Sequence, residues 1–118
     1  MTKTEELRDR TKKFAIRIIR LFRALPKSVE AQVIGKQLLR CGTSVAANYR
    51  AACRARSKAE FIARLGIVAE EADESVLWLE LLEETNVLGH ERLVEIAKEA
   101  KELAAIFSAS QKTAKGNR

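Results

Sequence analysis

One proline, five glycines and one histidine among 118 residues leave this chain few of the parts from which turns, phosphate loops and catalytic centres are built. With so little backbone punctuation the chain reads as long uninterrupted elements, and its wealth of Ala, Leu, Glu, Lys and Arg makes those elements helices. One Trp, one Tyr and four Phe leave a core that must be mostly aliphatic, and no aromatic ladder on which single-stranded bases would stack. Cys41 and Cys53 lie twelve residues apart on different sides of one helix, so they cannot bridge each other without breaking it. Two buried thiols fit a reducing cytoplasm, and no cysteine–histidine spacing matches a zinc pattern. A di-iron bundle needs Glu-x-x-His, whereas Val87 stands three residues before His90, which reads as a turn or cap neighbour. There is no Gly-rich phosphate loop, and Ser44 has no histidine to make it a nucleophile. These absences argue against an enzyme, a metal or a cofactor. The apolar run Phe14–Leu25 is interrupted by Arg17, Arg20 and Arg23, too charged to span a membrane, and no signal peptide is expected.

What is present is periodic. The length suits one domain. Leu7, Phe14, Ile18, Leu21 and Leu25 mark one face of a first helix over about Thr4–Ala24, stopped by Leu25-Pro26. Ser28 is placed to cap a second helix reaching about Ala55, with an apolar stripe of Ile34, Leu38, Cys41, Val45 and Ala52. Ser57-Lys58-Ala59-Glu60 has the form of a capping box and opens a third helix carrying Phe61, Leu65, Val68, Ala72, Val76 and Leu79. After a turn at Asn86–Gly89, a fourth helix carries Leu93, Ile96, Ala97, Ala100, Ala104 and Phe107. The expectation is an all-α, antiparallel up-down four-helix bundle over residues 1–112, followed by a disordered polar basic tail, 113–118.

Charge is sorted along the chain. Residues 1–56 hold 14 Lys and Arg against 4 Asp and Glu, or +10; residues 57–111 hold 5 against 12, or −7; the last seven residues add +3. Part of that attraction can be used inside an assembly, leaving a basic excess for something outside it. On the first helix Arg10, Lys13, Arg17 and Arg20 share a face, the arrangement that phosphate neutralisation would use, with salt-sensitive binding that reads little sequence. The competing reading is a solvated face, or one paired with the acidic third and fourth helices of the same or a neighbouring subunit. Docking of this basic amphipathic helix on a membrane surface is disfavoured, because the bundle core claims its large apolar residues.

The second helix also carries a polar ladder, Gln37, Arg40, Ser44 and Asn48, at spacings of three and four beside its apolar stripe, read here as part of its buried side. Such groups need partners if buried. The third helix has a mixed second face of Ile67, Glu71, Glu74, Trp78 and Leu81, so an Arg40–carboxylate bridge that fixes register between helices or subunits is expected. Trp78 on that face, for which a lone bundle has no use, and the bare patch Gly35, Gly42 and Ala46, which packing inside the bundle would equally explain, suggest that copies of the chain join.

The succession Leu25-Pro26, Gln37-Leu38-Leu39-Arg40, Thr43-Ser44-Val45-Ala46-Ala47-Asn48-Tyr49, Arg54–Phe61 and Glu71-Ala72-Asp73-Glu74 resembles the bacterial four-helix-bundle family also called the 23S rRNA intervening-sequence proteins. The resemblance spans nearly the whole chain, and the Q-x-x-R-x-x-x-S-x-x-x-N ladder is its most specific part. Many relatives carry a glutamate a few residues after that asparagine, where this chain has Ala51 and Ala52. The resemblance implies a homo-oligomeric ring of five up-down subunits. It also implies kinship with the accessory protein of diversity-generating retroelements, which binds a reverse transcriptase and nucleic acid. The expected function is therefore a non-catalytic cytoplasmic scaffold whose partners are its own copies, RNA or DNA, or a nucleic-acid enzyme such as a reverse transcriptase. The alternative is a purely structural or protein-binding oligomer.

Overall fold

The computed structural model describes residues 1–116, which form four helices: α1 Lys3–Ala24, α2 Val29–Cys53, α3 Lys58–Glu84 and α4 His90–Gly116. Each boundary has a local cause. Thr2 and Glu5 make a full capping box at the start of α1, Glu5 N–H donating to Thr2 Oγ1 at 3.1 Å while the Glu5 carboxylate accepts from Thr2 N–H. Pro26 forces Leu25 into extended backbone and ends α1. Ser28 occupies the N-cap of α2 without making a side-chain cap bond; the turn is instead closed by Gln32, whose Nε2 donates to the Pro26 carbonyl at 2.9 Å. Ser57 does cap α3, accepting from Glu60 N–H at 3.1 Å, but the Glu60 carboxylate reaches one residue further back than a box requires, to Arg56 N–H. At the far end of α3, Asn86 takes φ 59°, and Asn86 and Val87 N–H donate to the carbonyls of Glu83 and Leu82. This is a Schellman stop with asparagine in the left-handed position.

Short connections make successive helices antiparallel neighbours, giving a rod of 48 × 24 × 20 Å. α1–α2, α2–α3 and α3–α4 pack extensively, whereas α1 and α4 meet sparsely. Leu38, Leu79, Leu93 and Leu103 are wholly buried, each contributing roughly 2 kcal/mol by burial. Tyr49 and Phe107 cross at one end of the core with ring centroids 5.0 Å apart.

Two expectations change. The helix does not fray at Thr113: α4 continues through Gly116, and only Asn117 and Arg118 of the expected tail lie outside the described residues. The bare patch on α2 is used within the subunit. A Cβ on Gly35 would stand 2.4 Å from Leu25 Cδ1, and one on Gly42 would stand 2.8 Å from Ile18 Cγ1, so both glycines let α1 seat closely on α2. They therefore give no argument for joining copies.

Candidate nucleic-acid interface

The four cations expected to form one row on α1 have different surroundings. Arg10 grips α4 through a two-pronged pair, Nε and Nη2 each 2.7 Å from a Glu99 carboxylate oxygen, and adds Glu102 at 2.9 Å. Those carboxylates hold its guanidinium protonated still more firmly than usual, against partial desolvation. Its charge is neutralised inside the subunit, so Arg10 leaves the row. Lys13 Nζ pairs with Asp9 one turn back at 2.9 Å and stays exposed. Arg17 and Arg20 are exposed and meet no carboxylate among the described residues.

The polar ladder is brought together, though not where its periodicity suggested. Gln37 and Arg40 are exposed and Ser44 and Asn48 half-buried, so the ladder follows the rim between α2 and α3 rather than the core. Helix phase explains the difference, because these positions are rotated from the Leu38–Val45 stripe towards solvent. Arg40 Nη1 donates to Glu71 at 3.0 Å, its Nη2 pairs with Glu74, and its Nε donates to Gln37 Oε1 at 3.3 Å. Trp78 Nε1–H donates to the same Glu74 carboxylate at 3.0 Å. That bond, opposed by partial burial and reinforced by Arg40, holds the Glu74 carboxyl below the usual range. Trp78 packs half-buried against the core, so it has a use within one bundle, contrary to the expectation that only an oligomer would employ it. Further along, Asn48 donates to Ser44 and accepts from Arg64 Nη1 at 3.0 Å. Arg64 was not singled out from the sequence; its place four residues after Glu60, on the α2-facing side of α3, was the available signal.

Sequence reasoning also missed a basic groove. Between α1 and α2, on the side away from α3 and α4, an open cleft is lined by Arg8, Lys12 and Arg50 over a floor of Thr43, Ala46 and Ala47. A second shallow cleft shares Ala47 and Arg50 and continues to Arg54 and Arg56 past Ala51. Lysines and arginines at four-residue spacing on both helices were the signal, but nothing in one sequence says that the two rows face each other. Among the described residues, only Arg10, Lys13 and Arg40 of the 14 cations in residues 1–56 meet a carboxylate.

The Cys41 thiol is buried beside Ser75 Oγ at 3.1 Å, and that burial pushes its pKa up, away from a reactive thiolate. His90 is exposed and held by Glu83, whose carboxylate raises its pKa. Among the described residues no group of His, Cys, Asp and Glu is placed to hold a metal ion, and no helix is long and apolar enough to cross a membrane.

Residues 3–109 match the family model described as 23S rRNA-intervening sequence protein. A solved structure from Bacteroides thetaiotaomicron VPI-5482, described as a protein with unknown function from the S23 ribosomal protein family, superposes with a TM-score of 0.86. It is 36% identical, and the match covers 94% of this chain and 99% of that one. No protein of curated function matches the chain.

Proposed function

This chain belongs to the 23S rRNA-intervening sequence protein family, and we propose that it is a non-catalytic scaffold whose copies join and whose basic face binds nucleic acid, or an enzyme working on it. The observation that carries the reading is the sorting of charge onto one side of the bundle. Residues 1–56, which form α1 and α2, hold a net +10, and eleven of their 14 cations have no carboxylate partner among the described residues. A protein stabilised by its own ion pairs would spread these charges against the acidic helices; here they stand out as an unneutralised layer. Binding of this kind works by releasing counterions from phosphates and so weakens steeply with salt. Arg17 and Arg20 remain members of that layer, and Lys13 a weaker one.

The alternative, a purely structural or protein-binding oligomer, draws on a different observation. Val33 and Leu77 are 57% and 47% exposed on α2 and α3, apolar surface that contact with a neighbouring copy would cover. The ring of five implied by the family resemblance would give such surface a use in either reading.

Mobility shifts of labelled single-stranded RNA and duplex DNA across a salt series separate the two. The nucleic-acid reading expects binding that weakens with salt, and Arg17→Glu with Arg20→Glu to weaken it further and flatten the salt slope by about two. No binding at low salt, or tight binding indifferent to salt and to these charges, would leave the structural oligomer standing.

A further inference from the structure

We infer that the principal phosphate-binding site of this protein is the α1–α2 groove of Arg8, Lys12 and Arg50, continued by Arg54 and Arg56, and that the Arg17–Arg20 face is secondary. The inference rests on the nucleic-acid reading above and says where, on that basic side, a strand lies.

Concavity is the first reason. Arg8 and Lys12 stand one helical turn apart on α1, and Arg50 lies in the last turn of α2 with Arg54 four residues on at its C-cap. A turn of four residues advances about 6 Å, comparable with the step between neighbouring phosphates of an extended strand. A backbone lying in the groove therefore meets cations from two walls, whereas one on the convex face of α1 meets Arg17 and Arg20 from one side only.

The second reason is that the groove's cations outnumber its carboxylates. Among the described residues, Asp9 and Glu60 are the carboxylates lining the two clefts, against Arg8, Lys12, Arg50, Arg54 and Arg56. The Asp9 carboxylate pairs with Lys13 at 2.9 Å, outside the groove, whereas Glu60 accepts from the neutral Arg56 backbone N–H at 3.0 Å and keeps its charge, so the groove retains a net excess of cations. The hydroxyls are equally committed: Thr43 donates to the Leu39 carbonyl at 2.7 Å and Thr11 to the Leu7 carbonyl at 2.9 Å. What the groove offers a ligand is guanidinium and ammonium donors over alanine methyls.

The third reason bears on the class of partner. A protein ligand would be anchored by large side chains entering apolar or aromatic pockets, and the floor here is Thr43, Ala46, Ala47 and Ala51. Shallow methyls beneath a double row of cations suit a smooth polyanion. With no aromatic side chain in the groove, bases are not stacked and sequence is not read; the contacts are to phosphates.

The experiment compares the wild type with Arg8→Ala/Lys12→Ala/Arg50→Ala and with Arg17→Ala/Arg20→Ala. Fluorescence anisotropy is read with a labelled single-stranded RNA and a labelled DNA duplex over a salt series. All five side chains are exposed, so thermal melting and light scattering should be unchanged in both variants. The groove variant is expected to bind roughly tenfold or more weakly, with a salt slope shallower by about three, and the face variant to lose clearly less. Loss on RNA alone, or on both probes, supports the groove and tells which polymer fits it. If the wild type binds and the groove variant loses no more than the face variant, the groove assignment falls while the function stands. If the groove variant instead changes the mass of the assembly, these cations face a neighbouring subunit and the assignment falls. If the wild type binds neither probe, the functional reading falls and takes the groove with it.

Discussion

Tyr49 shows how one side chain ties the molecule together and makes its stability depend on pH. It sits on α2, 5% exposed, crosses Phe107 of α4, and has its hydroxyl near Thr4 of α1. Burial pushes the phenol up to about 12, with Cys53 adding to the rise and Thr4 and Arg8 opposing it. An unfolded chain ionises its tyrosine near pH 10, so the folded state holds the proton more tightly. The associated stability is fully present below about pH 10 and drains away as pH rises towards the folded value, because the unfolded chain then releases its proton first. Urea unfolding at neutral pH and between about pH 10 and 11 should show a loss of stability in the wild type that is smaller in Tyr49→Phe. Truncation by Tyr49→Ala should cost about 3–4 kcal/mol at neutral pH, as for other large aromatic side chains cut back in a core. Equal alkaline losses in wild type and Tyr49→Phe would show that another group governs this limb. That Tyr49 packs on Phe107 depends on how α2 and α4 face each other across the core, which periodicity within either helix does not contain.

Among neighbouring helices, α1 and α4 are the pair that meet least, and Arg10 with Glu99 and Glu102 is a polar tie across their seam. The pair is part-buried, with side-chain exposures of 34% for Arg10 and 17% for Glu99, so solvent screens it only partly. Arg10→Met should therefore cost about 1–2 kcal/mol, more than a surface ion pair and less than a buried one left single. Urea melts give the number, and faster amide exchange in the first turns of α1 would locate it. A loss below about 0.5 kcal/mol would mean that apolar packing alone closes the seam. The same residue marks the limit of sequence reading. All four helices and most core positions were legible because 3.6-residue periodicity is written locally: Leu38, Cys41, Val45 and Ala52 are buried as expected, and Leu65, Val68, Ala72 and Leu79 likewise. Leu103, Leu82 and Thr11 joined the core unannounced. Arg10 looked like its neighbours Arg17 and Arg20 because a one-helix projection cannot show which cation leans over the seam towards an acidic helix. The Arg40–Glu71–Glu74 bridge was legible because both halves repeat at helical spacing on adjacent helices, while the Arg8–Arg50 groove was not, its two rows having no complementary charge to betray them.

As a whole the molecule is a rod with opposite charge on its two layers, α1–α2 basic and α3–α4 acidic. Its 7068 Å² of accessible surface exceeds the roughly 6,400 Å² expected of a compact monomer of this mass. Such polarity favours one kind of self-contact, the basic layer of one copy against the acidic layer of the next. That contact is heterologous, and it closes into a ring when the rotation between copies divides a full turn. The proposed assembly and the proposed nucleic-acid face thus share one basic layer, and the groove assignment requires that the subunit contact leave Arg8, Lys12 and Arg50 free for phosphate. The rim network of Arg40, Glu71, Glu74 and Trp78 is satisfied within one chain, which makes it suited to hold the α2–α3 register, with Val33 and Leu77 as exposed apolar contacts on the same two helices. Light scattering at micromolar concentration should give a mass several times the 13.2 kDa of one chain, five times it if the family's implied ring applies. Replacing both apolar residues, Val33→Glu with Leu77→Glu, should lower that mass while helicity is kept, since both positions face solvent in the subunit. If the contact is instead purely ionic, salt alone should dissolve the assembly and the double variant should leave the low-salt mass unchanged. A 13.2 kDa particle at low salt and micromolar concentration would remove self-assembly altogether, and with it any multiplication of the basic layer by symmetry.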